Sequence, residues 1–216
     1  MRCFARWEKD DSAEVFFRDQ TILQFGDSWD LLANVILLNP GSALPMNEED
    51  QTEWLRSKDL PFFVEPDNQE KYVEFSLDPL MRYVFKLFEE KYSGGSIRLY
   101  NLFNLKNQHS NDAIDQIKEN FSHSKMFAKC HEIKFCDAPV IIASGGNAKK
   151  HNTLKQQLTR YISHVENDKL FKLAKQADKQ YSILKAIPDN FGFVESYHPS
   201  FTFKYGNATD LGQLKT

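Results

Sequence analysis

Four short groups of polar residues in this sequence each follow an apolar run, and their side chains could do chemistry. An asparagine amide presents a hydrogen-bond donor and an acceptor together, as does a neutral histidine ring. Proline and glycine within three of the groups favour sharp turns, so the polar side chains would emerge where strands end. Ligands bind at that edge in open α/β sheets. The groups are Asn39-Pro40-Gly41, Asn101, Gly145-Gly146-Asn147 and His198-Pro199-Ser200.

Each group alone has a simpler interpretation. Asn39-Pro40-Gly41 is common as a plain turn. Asn101 could be a buried amide that ties adjacent loops together, and His198 could be a structural histidine packed before a proline. Because all four groups lie at predicted strand ends, the sequence favours a shared site over four unrelated turns.

Apolar runs alternate with amphipathic stretches, which gives the elements that must position these residues. Four stretches predict buried strands, and they are residues 35–38, 96–105, 140–143 and 193–197. Helices are predicted between them, beginning at Asp78-Pro79, at Ser110, at Ala148 and near residue 168. Residues 1–25 predict one or two short edge strands. We expect an α/β fold, a three-layer α/β/α sandwich with a central, mostly parallel sheet.

Composition restricts the class of protein. With 216 residues, 41% hydrophobic and 26% charged, the chain fits one domain over residues 1–216, with its core at about 30–205. No apolar run approaches the roughly 20 residues that span a bilayer, and the N-terminus lacks a signal-peptide pattern. Cys3, Cys130 and Cys136 form neither a disulfide framework nor a metal set. We therefore expect a cytoplasmic, monomeric protein with no membrane contact, no metal and no cofactor.

Charge is distributed unevenly along the chain. The net charge of -3 and the pI of about 6.1 argue against a protein that coats nucleic acid. Residues 148–186, however, carry eight lysines and Arg160 against three acidic residues. This basic segment is compatible with one phosphate-facing surface, and a solvated helical face is the alternative.

Taken in order, the four groups resemble motifs of the uracil-DNA glycosylase superfamily. The matching segments are Leu-Leu-Asn-Pro-Gly (37–41), Leu-Tyr-Asn-Leu-Phe (99–103), Ser-Gly-Gly-Asn-Ala-Lys-Lys (144–150) and Tyr-His-Pro-Ser (197–200). The chain also looks like a bacterial and phage domain family of unknown function that is plausibly an offshoot of this superfamily. The first resemblance implies a uracil-DNA glycosylase-like fold and the excision of a base that has been flipped out of the DNA stack.

The resemblance assigns roles to individual residues. His198 matches the catalytic histidine, which as a neutral imidazole would donate to the pyrimidine O2 and stabilise the departing base electrostatically. Asn39 matches the residue that positions water; an amide can orient water through its carbonyl but cannot act as a general base. Asn101 matches the base reader. The base-binding set would be Pro40, Gly41, Ser42, Asn101 and Phe103.

The sequence also departs from the family pattern. Stringent uracil enzymes place a bulky tyrosine after the proline, and this chain has Gly41 and Ser42 there. We therefore expect space for a substituent at carbon 5 of the pyrimidine, including a bulky sugar of the kind found on virus-encoded cytosines. Asp50 could compensate for Asn39 as a nearby acid, although a helix N-terminal charge is the simpler account.

The remaining motif residues are predicted to contact DNA. Lys149 and Lys150 would open a helix beside a glycine turn, where a phosphate is favoured, or form a solvated first turn. Phe201 or Phe203 would wedge into the duplex, or pack in the core. The full DNA-binding set is Gly146, Asn147, Lys149, Lys150, Ser200, Phe201, Phe203 and Lys204.

The sequence therefore predicts a monofunctional DNA glycosylase that removes a modified or damaged pyrimidine and leaves an abasic site, in repair or antiviral defence. No motif supplies a catalytic lysine for a lyase step. The alternatives are a catalytically silent nucleic-acid-binding module and a hydrolase of free modified nucleosides or nucleotides.

Overall fold

One nine-stranded sheet organises the chain. The computed structural model describes residues 1–10, 15–67, 70–177, 180–201, 209–211 and 213–214. Its strands are β1 (Arg2–Asp10), β2 (Val15–Phe25), β3 (Leu31–Leu37), β4 (Lys71–Glu74), β5 (Gly95–Asn101), β6 (Val140–Ile142), β7 (Leu170–Lys175), β8 (Tyr181–Lys185) and β9 (Thr209–Asp210). They lie in the order β4-β1-β2-β5-β3-β6-β7-β8-β9.

Short helices connect the strands and cover both faces of the sheet. They are α1 (Thr52–Arg56), α2 (Pro79–Glu89), α3 (Ser110–Glu119), α4 (Asn147–Lys150) and α5 (Asn152–Ile162), with 3-10 turns at Cys130–Glu132 and Asn167–Lys169. The apolar side of α2 packs on one face, and α3 and α5 pack on the other. Among the described residues, every helix is too short or too polar to traverse a lipid bilayer.

The predicted three-layer α/β/α sandwich with a central, mostly parallel sheet is wrong. Parallel pairing joins β5, β3, β6 and β7 at the centre, and β8 with the short β9 at one edge. Antiparallel pairing involves more residues and joins β4, β1, β2 and β5 on one side and β7 with β8 on the other. The N-terminal strands are long, and β2 pairs directly with β5 rather than forming a short edge.

Two element predictions in the second half of the chain are also wrong. The predicted helix near residue 168 is the strand β7, which pairs with β6 and β8 and buries Leu170, Phe171 and Leu173 in the cores on the two faces of the sheet. Pairing with neighbours outweighs the local preference of a lysine-rich segment. Residues 193–197 form an extended segment rather than a strand, and it touches the sheet through the Tyr197 amide, which donates to the Leu173 carbonyl at 2.9 Å.

The central strands show why the site lies where it does. Val35 and Leu37 of β3 join one core and Ile36 joins the other, so this strand is buried on both faces. From β3 the chain crosses to β5 on one side, and β6 then lies on the other side of β3. Connections that leave in opposite directions open a crevice at the carboxyl ends of the strands. Asn39 follows β3 directly and therefore lies at this crevice.

Candidate active site

A pocket of about 200 Å³ lies just past the carboxyl end of β3. It brings together side chains from the loops after β3, β5 and β8 and from the start of α2. Its lining residues are Asn39, Gly41, Ser42, Asp78, Pro79, Leu80, Asn107, Gln108, His198 and Ser200. Five of the predicted site residues are therefore neighbours in space, although up to 161 positions separate them in sequence.

The amide of Asn39 is held in one orientation. Its Nδ2 donates to the carbonyl oxygens of Pro40 and Asn107, each at 2.8 Å. Carbonyl oxygens only accept hydrogen bonds, so the nitrogen of the amide must face them. Within the described part of the chain, no residue donates to Oδ1. The side chain is 8% exposed, which leaves its carbonyl oxygen as an acceptor for a small molecule in the pocket.

The ring of His198 is also fixed by its neighbours. Its Nδ1 lies 2.8 Å from the Ser200 hydroxyl, and the Ser200 backbone N–H donates to the same nitrogen at 3.3 Å. A nitrogen that accepts from a backbone N–H carries no proton, so the neutral ring has its proton on Nε2. His198 therefore presents Nε2–H as a donor.

Protein packing keeps this histidine neutral. Burial lowers the pKa of His198 to about 4, and the negative charge of Asp78 opposes that shift only in part. The residue retains some exposed surface, but the surrounding protein excludes enough water to disfavour an imidazolium. At neutral pH the ring is uncharged.

Gly145 makes this placement of His198 possible. It has a φ of +77°, and a Cβ at this position would lie 2.8 Å from the His198 Cβ. Any other residue would be strained in its backbone and would collide with the histidine. Ser196 adds a further tie, because its hydroxyl accepts from the Gly145 N–H at 3.4 Å.

Asp78 is the charged residue of the pocket that sequence reasoning missed. Its Oδ1 accepts from the Met81 N–H at 2.9 Å and caps α2. Its Oδ2 lies 3.9 Å from Nη2 of the buried Arg18. The pair Asp78-Pro79 correctly predicts where the helix begins, but a helix-start pattern gives no sign of a neighbouring pocket.

The space expected at Gly41 is occupied. A Cβ added to Gly41 would meet Asp78 Oδ2 at 2.7 Å. The glycine therefore admits a carboxylate, and the space that Gly41 was expected to leave for a substituent at carbon 5 is filled.

Three predicted base-binding residues lie away from the pocket lining. Asn101 is 5% exposed at the end of β5, where its backbone carbonyl accepts from the Tyr161 hydroxyl at 2.9 Å. Phe103 is completely buried in the core beneath α3 and α5. Pro40 contributes its backbone carbonyl to Asn39 and Asn107. At the position expected for Asn101, the pocket instead has Asn107 and Gln108, which follow β5 by several residues.

The motif at Asn101 predicts a base-reading side chain on the strand itself, whereas Asn107 and Gln108 lie in the loop that follows it. The polar run of residues 106–112 after the strand is the signal that indicates them. The side chain of Asn107 is engaged on both ends, since Nδ2 donates to Gln116 at 3.2 Å and Oδ1 accepts from the His109 N–H at 2.8 Å. Gln108 is exposed at the mouth of the pocket.

The predicted DNA-contacting residues lie on the surface beside the pocket. Gly146, Lys149 and Lys150 are exposed and Asn147 is half-buried in the single turn of α4, and Lys149 pairs with Glu195 at 3.0 Å. Phe201 is 41% exposed and packs edge-on against Tyr197, with 6.1 Å between the ring centroids. Phe203 and Lys204 lie outside the described residues.

Comparisons with family models, with curated proteins and with solved structures find no match for this chain. The resemblance to uracil-DNA glycosylases therefore rests on four sequence motifs. The described residues hold no cluster of three or more His, Cys, Asp or Glu side chains suited to a metal ion. The pocket offers an imidazole donor, an amide carbonyl and a carboxylate, a set suited to breaking a polar bond with water.

Proposed function

We propose that this chain is a monofunctional DNA glycosylase that hydrolyses the N-glycosidic bond of a flipped pyrimidine. The observation that carries the proposal is the convergence of Asn39 and His198, from opposite ends of the chain, on one pocket at the switch point of the sheet. The pocket volume of about 200 Å³ is below the range of about 300–1,000 Å³ typical of drug-sized ligands. A single base suits this space better than a base bearing a sugar.

His198 would stabilise the leaving base. As the C1′–N bond breaks, negative charge develops on the pyrimidine and spreads to its O2. Because Ser200 engages Nδ1 of the ring, the Nε2–H group is available to donate a hydrogen bond to this oxygen. A neutral donor, already oriented and partly desolvated, favours the charged transition state without giving up its proton to the ground-state base.

Asn39 would hold the attacking water. The two carbonyls that engage Nδ2 turn Oδ1 toward the remaining space, where it can accept from water and fix its direction. A water held in this direction attacks faster, because the entropic cost of aligning it with the sugar has already been met on binding.

The surface around the pocket suits single-stranded or locally opened DNA. Tyr197 and Phe201 form an exposed aromatic pair directly beside His198. Aromatic faces stack on bases of any sequence, at about 1–3 kcal/mol per base. Lys150 and Lys149 stand on the adjacent turn and would meet the phosphate backbone.

An abasic-site assay tests the proposal. DNAs containing uracil, a thymine mismatch, 5-hydroxymethylcytosine or its glucosylated form are incubated with the parent chain, then cleaved at abasic sites with alkali. Cleavage of at least one DNA is expected with the parent and is lost in His198→Ala and Asn39→Ala. His164→Ala, which removes an exposed histidine away from the pocket, should behave like the parent.

Other outcomes separate the alternatives. DNA binding without abasic product from any substrate would overturn the proposal in favour of a silent binding module. Base release from free nucleosides or nucleotides, without activity on DNA, would assign a nucleoside hydrolase instead. Activity that falls steeply as salt is raised would support DNA as the substrate, because phosphate contacts release counterions.

A further inference from the structure

The pocket contains a carboxylate in addition to the amide that was expected to handle water. We propose that Asp78 is a catalytic residue of this site, whose Oδ2 accepts a proton from the attacking water and faces the positive charge that develops on the sugar. This inference rests on the proposed glycosylase function and adds to it a residue that belongs to none of the four motifs.

The two oxygens of Asp78 have different tasks. Oδ1 accepts from the Met81 N–H and is sufficient to cap α2. Oδ2 points to the pocket side, beside Gly41. Among the described residues, none hydrogen-bonds to Oδ2, and the nearest cationic nitrogen, Nη2 of Arg18, is at 3.9 Å. Oδ2 is therefore available to a water molecule.

Gly41 is adapted to this carboxylate. Oδ2 lies 2.7 Å from the place where any Cβ at position 41 would stand. A capping aspartate requires no such clearance, because the cap uses only Oδ1. The absence of a side chain at position 41 instead lets Oδ2 reach the same pocket as Asn39 and His198.

Arg18 gives a second, independent reason to assign more than a cap to Asp78. Arg18 is 3% exposed, and its Nε and Nη1 have no hydrogen-bond partner among the described residues. Burying a guanidinium in this way is costly unless a charge compensates it. Asp78 is the carboxylate beside it, with Oδ2 at 3.9 Å from Nη2, and supplies the compensating charge. Arg18 acts here as a positioning residue.

The step balances as a simple hydrolysis. The water oxygen forms a bond to C1′ while the C1′–N bond breaks. The electron pair of the broken C1′–N bond leaves with the base, whose O2 accepts the hydrogen bond from His198. One proton of the water passes to Asp78 Oδ2 and is later released to solvent. The base anion takes a proton from solvent, and Asn39 Oδ1 holds the second hydrogen of the water throughout.

Asp78→Asn tests this assignment with little change in shape. Asparagine caps helices as well as aspartate does, so α2 should persist while the charge is lost. We expect the single-turnover rate of base release to fall about 100- to 10,000-fold, the usual range for a lost general base, with an unchanged Kd for DNA. Asp112→Asn, the same change at an exposed carboxylate of α3, should leave the rate unaltered.

Chemical rescue separates catalysis from structure. In Asp78→Ala, added formate should restore part of the rate, because a small carboxylate can take the vacant position, and a purely structural cap would show no such rescue. If Asp78→Asn unfolds because Arg18 loses its counter-charge, the double variant Arg18→Met with Asp78→Asn removes both charges and is assayed in its place.

The outcomes distinguish this inference from the proposed function. No abasic product from the parent chain would overturn the glycosylase itself. The role of Asp78 would be overturned, and the glycosylase left standing, if the parent is active and a folded variant keeps the parent's rate within about threefold. That variant is Asp78→Asn alone or combined with Arg18→Met. A threefold difference in rate is under about 1 kcal/mol.

Discussion

At the residue scale, three polar side chains of the pocket each have one end engaged by the protein, and the engaged end determines what the other can do. Two backbone carbonyls hold the nitrogen of Asn39, which turns its oxygen outward. Ser200 holds Nδ1 of His198, which leaves a proton on Nε2. The cap of α2 occupies Oδ1 of Asp78. The site is therefore preorganised before any ligand enters, as electrostatic catalysis requires.

This fixed orientation predicts that Asn39→Asp will not raise the rate of the proposed base release, although aspartate is the better base. The new carboxylate would face the carbonyl oxygens of Pro40 and Asn107, so it must either repel them or be protonated. We expect a loss of about 1–3 kcal/mol in the free energy of unfolding at neutral pH, measured by urea denaturation, and no gain in rate. A faster variant of unchanged stability would contradict the orientation described for Asn39.

The burial of His198 predicts how stability depends on pH. The pKa is about 4 in the folded chain and about 6.5 in an unfolded chain. As the pH falls from about 6.5 to 4, the unfolded state binds a proton that the folded state does not, so the folded state loses stability across this window. Above about pH 6.5 the ring is neutral in both states, so this histidine does not make the stability depend on pH. Urea unfolding of the parent and of His198→Gln at several pH values measures the difference.

We expect the parent to lose more stability than His198→Gln on acidification, and an assigned histidine NMR signal to titrate with its midpoint near 4. If the stability of the parent and of His198→Gln changes with pH in the same way, or if the midpoint lies near that of a free histidine, the ring is solvated.

The sequence could predict Asn39, His198 and Ser200 as site residues because their neighbouring proline and glycine residues force turns at strand ends. It could not predict Asp78, since only folding brings the start of α2 against Gly41. It placed Asn101 and Phe103 in the same site, but neither lines the pocket, because a polar or aromatic side chain at a strand end can also be buried inside, and here both are.

At the element scale, tight turns bring the loops of the site together. Gly145 ends the segment after β6 with a positive φ and touches His198, which arrives on the extended segment after β8. The pocket thus depends on a backbone contact between two connections that lie far apart in the sequence.

The strand pattern of residues 35–38 and 140–143 could be predicted because both runs are apolar and end in turn residues, whereas the strand character of β7 depends on pairing that local sequence does not encode.

Gly145→Ala is therefore expected to move His198 and to abolish base release. The added Cβ would also strain a backbone with φ of +77°, which costs about 1–3 kcal/mol. Gly146→Ala is the matched control for packing and backbone strain, because a Cβ there meets nothing within 4 Å. Thermal unfolding of the two variants is compared, and base release by Gly145→Ala is compared with that of the parent. Release and stability equal to the parent's in Gly145→Ala would contradict the close approach of Gly145 and His198.

At the scale of the whole molecule, the antiparallel flank of the sheet is held by a buried ionic cluster. Arg6 on β1 donates to Asp19 on β2 at 2.8 and 2.6 Å, to Glu70 at 2.7 Å and to Glu132 at 2.6 Å. One cation thus joins three segments of the chain. These long-range contacts, together with the long pairing of β1 and β2, form the part of the fold that apolar periodicity did not predict.

Arg6→Ala should lower the free energy of unfolding by about 3–5 kcal/mol, because it leaves buried carboxylates without their partner. Arg56→Ala is the control: Arg56 pairs with Glu65 at 2.6 Å on the exposed surface, where water and salt screen the charges, so little change in stability is expected. Urea denaturation of both variants gives the comparison. A loss at Arg6 no larger than at Arg56 would show that the cluster is not a structural centre of the sheet.

The proposed role of His198 is tested by the rate of free-base release from a modified DNA under single-turnover conditions, for the parent and for His198→Ala. We expect release by the parent and a rate about 100- to 1000-fold lower in the variant, the usual effect of removing one donor to a developing anion. DNA binding should be equal in both. Release at the same rate without the imidazole, or no release by the parent from any pyrimidine tested, would contradict it.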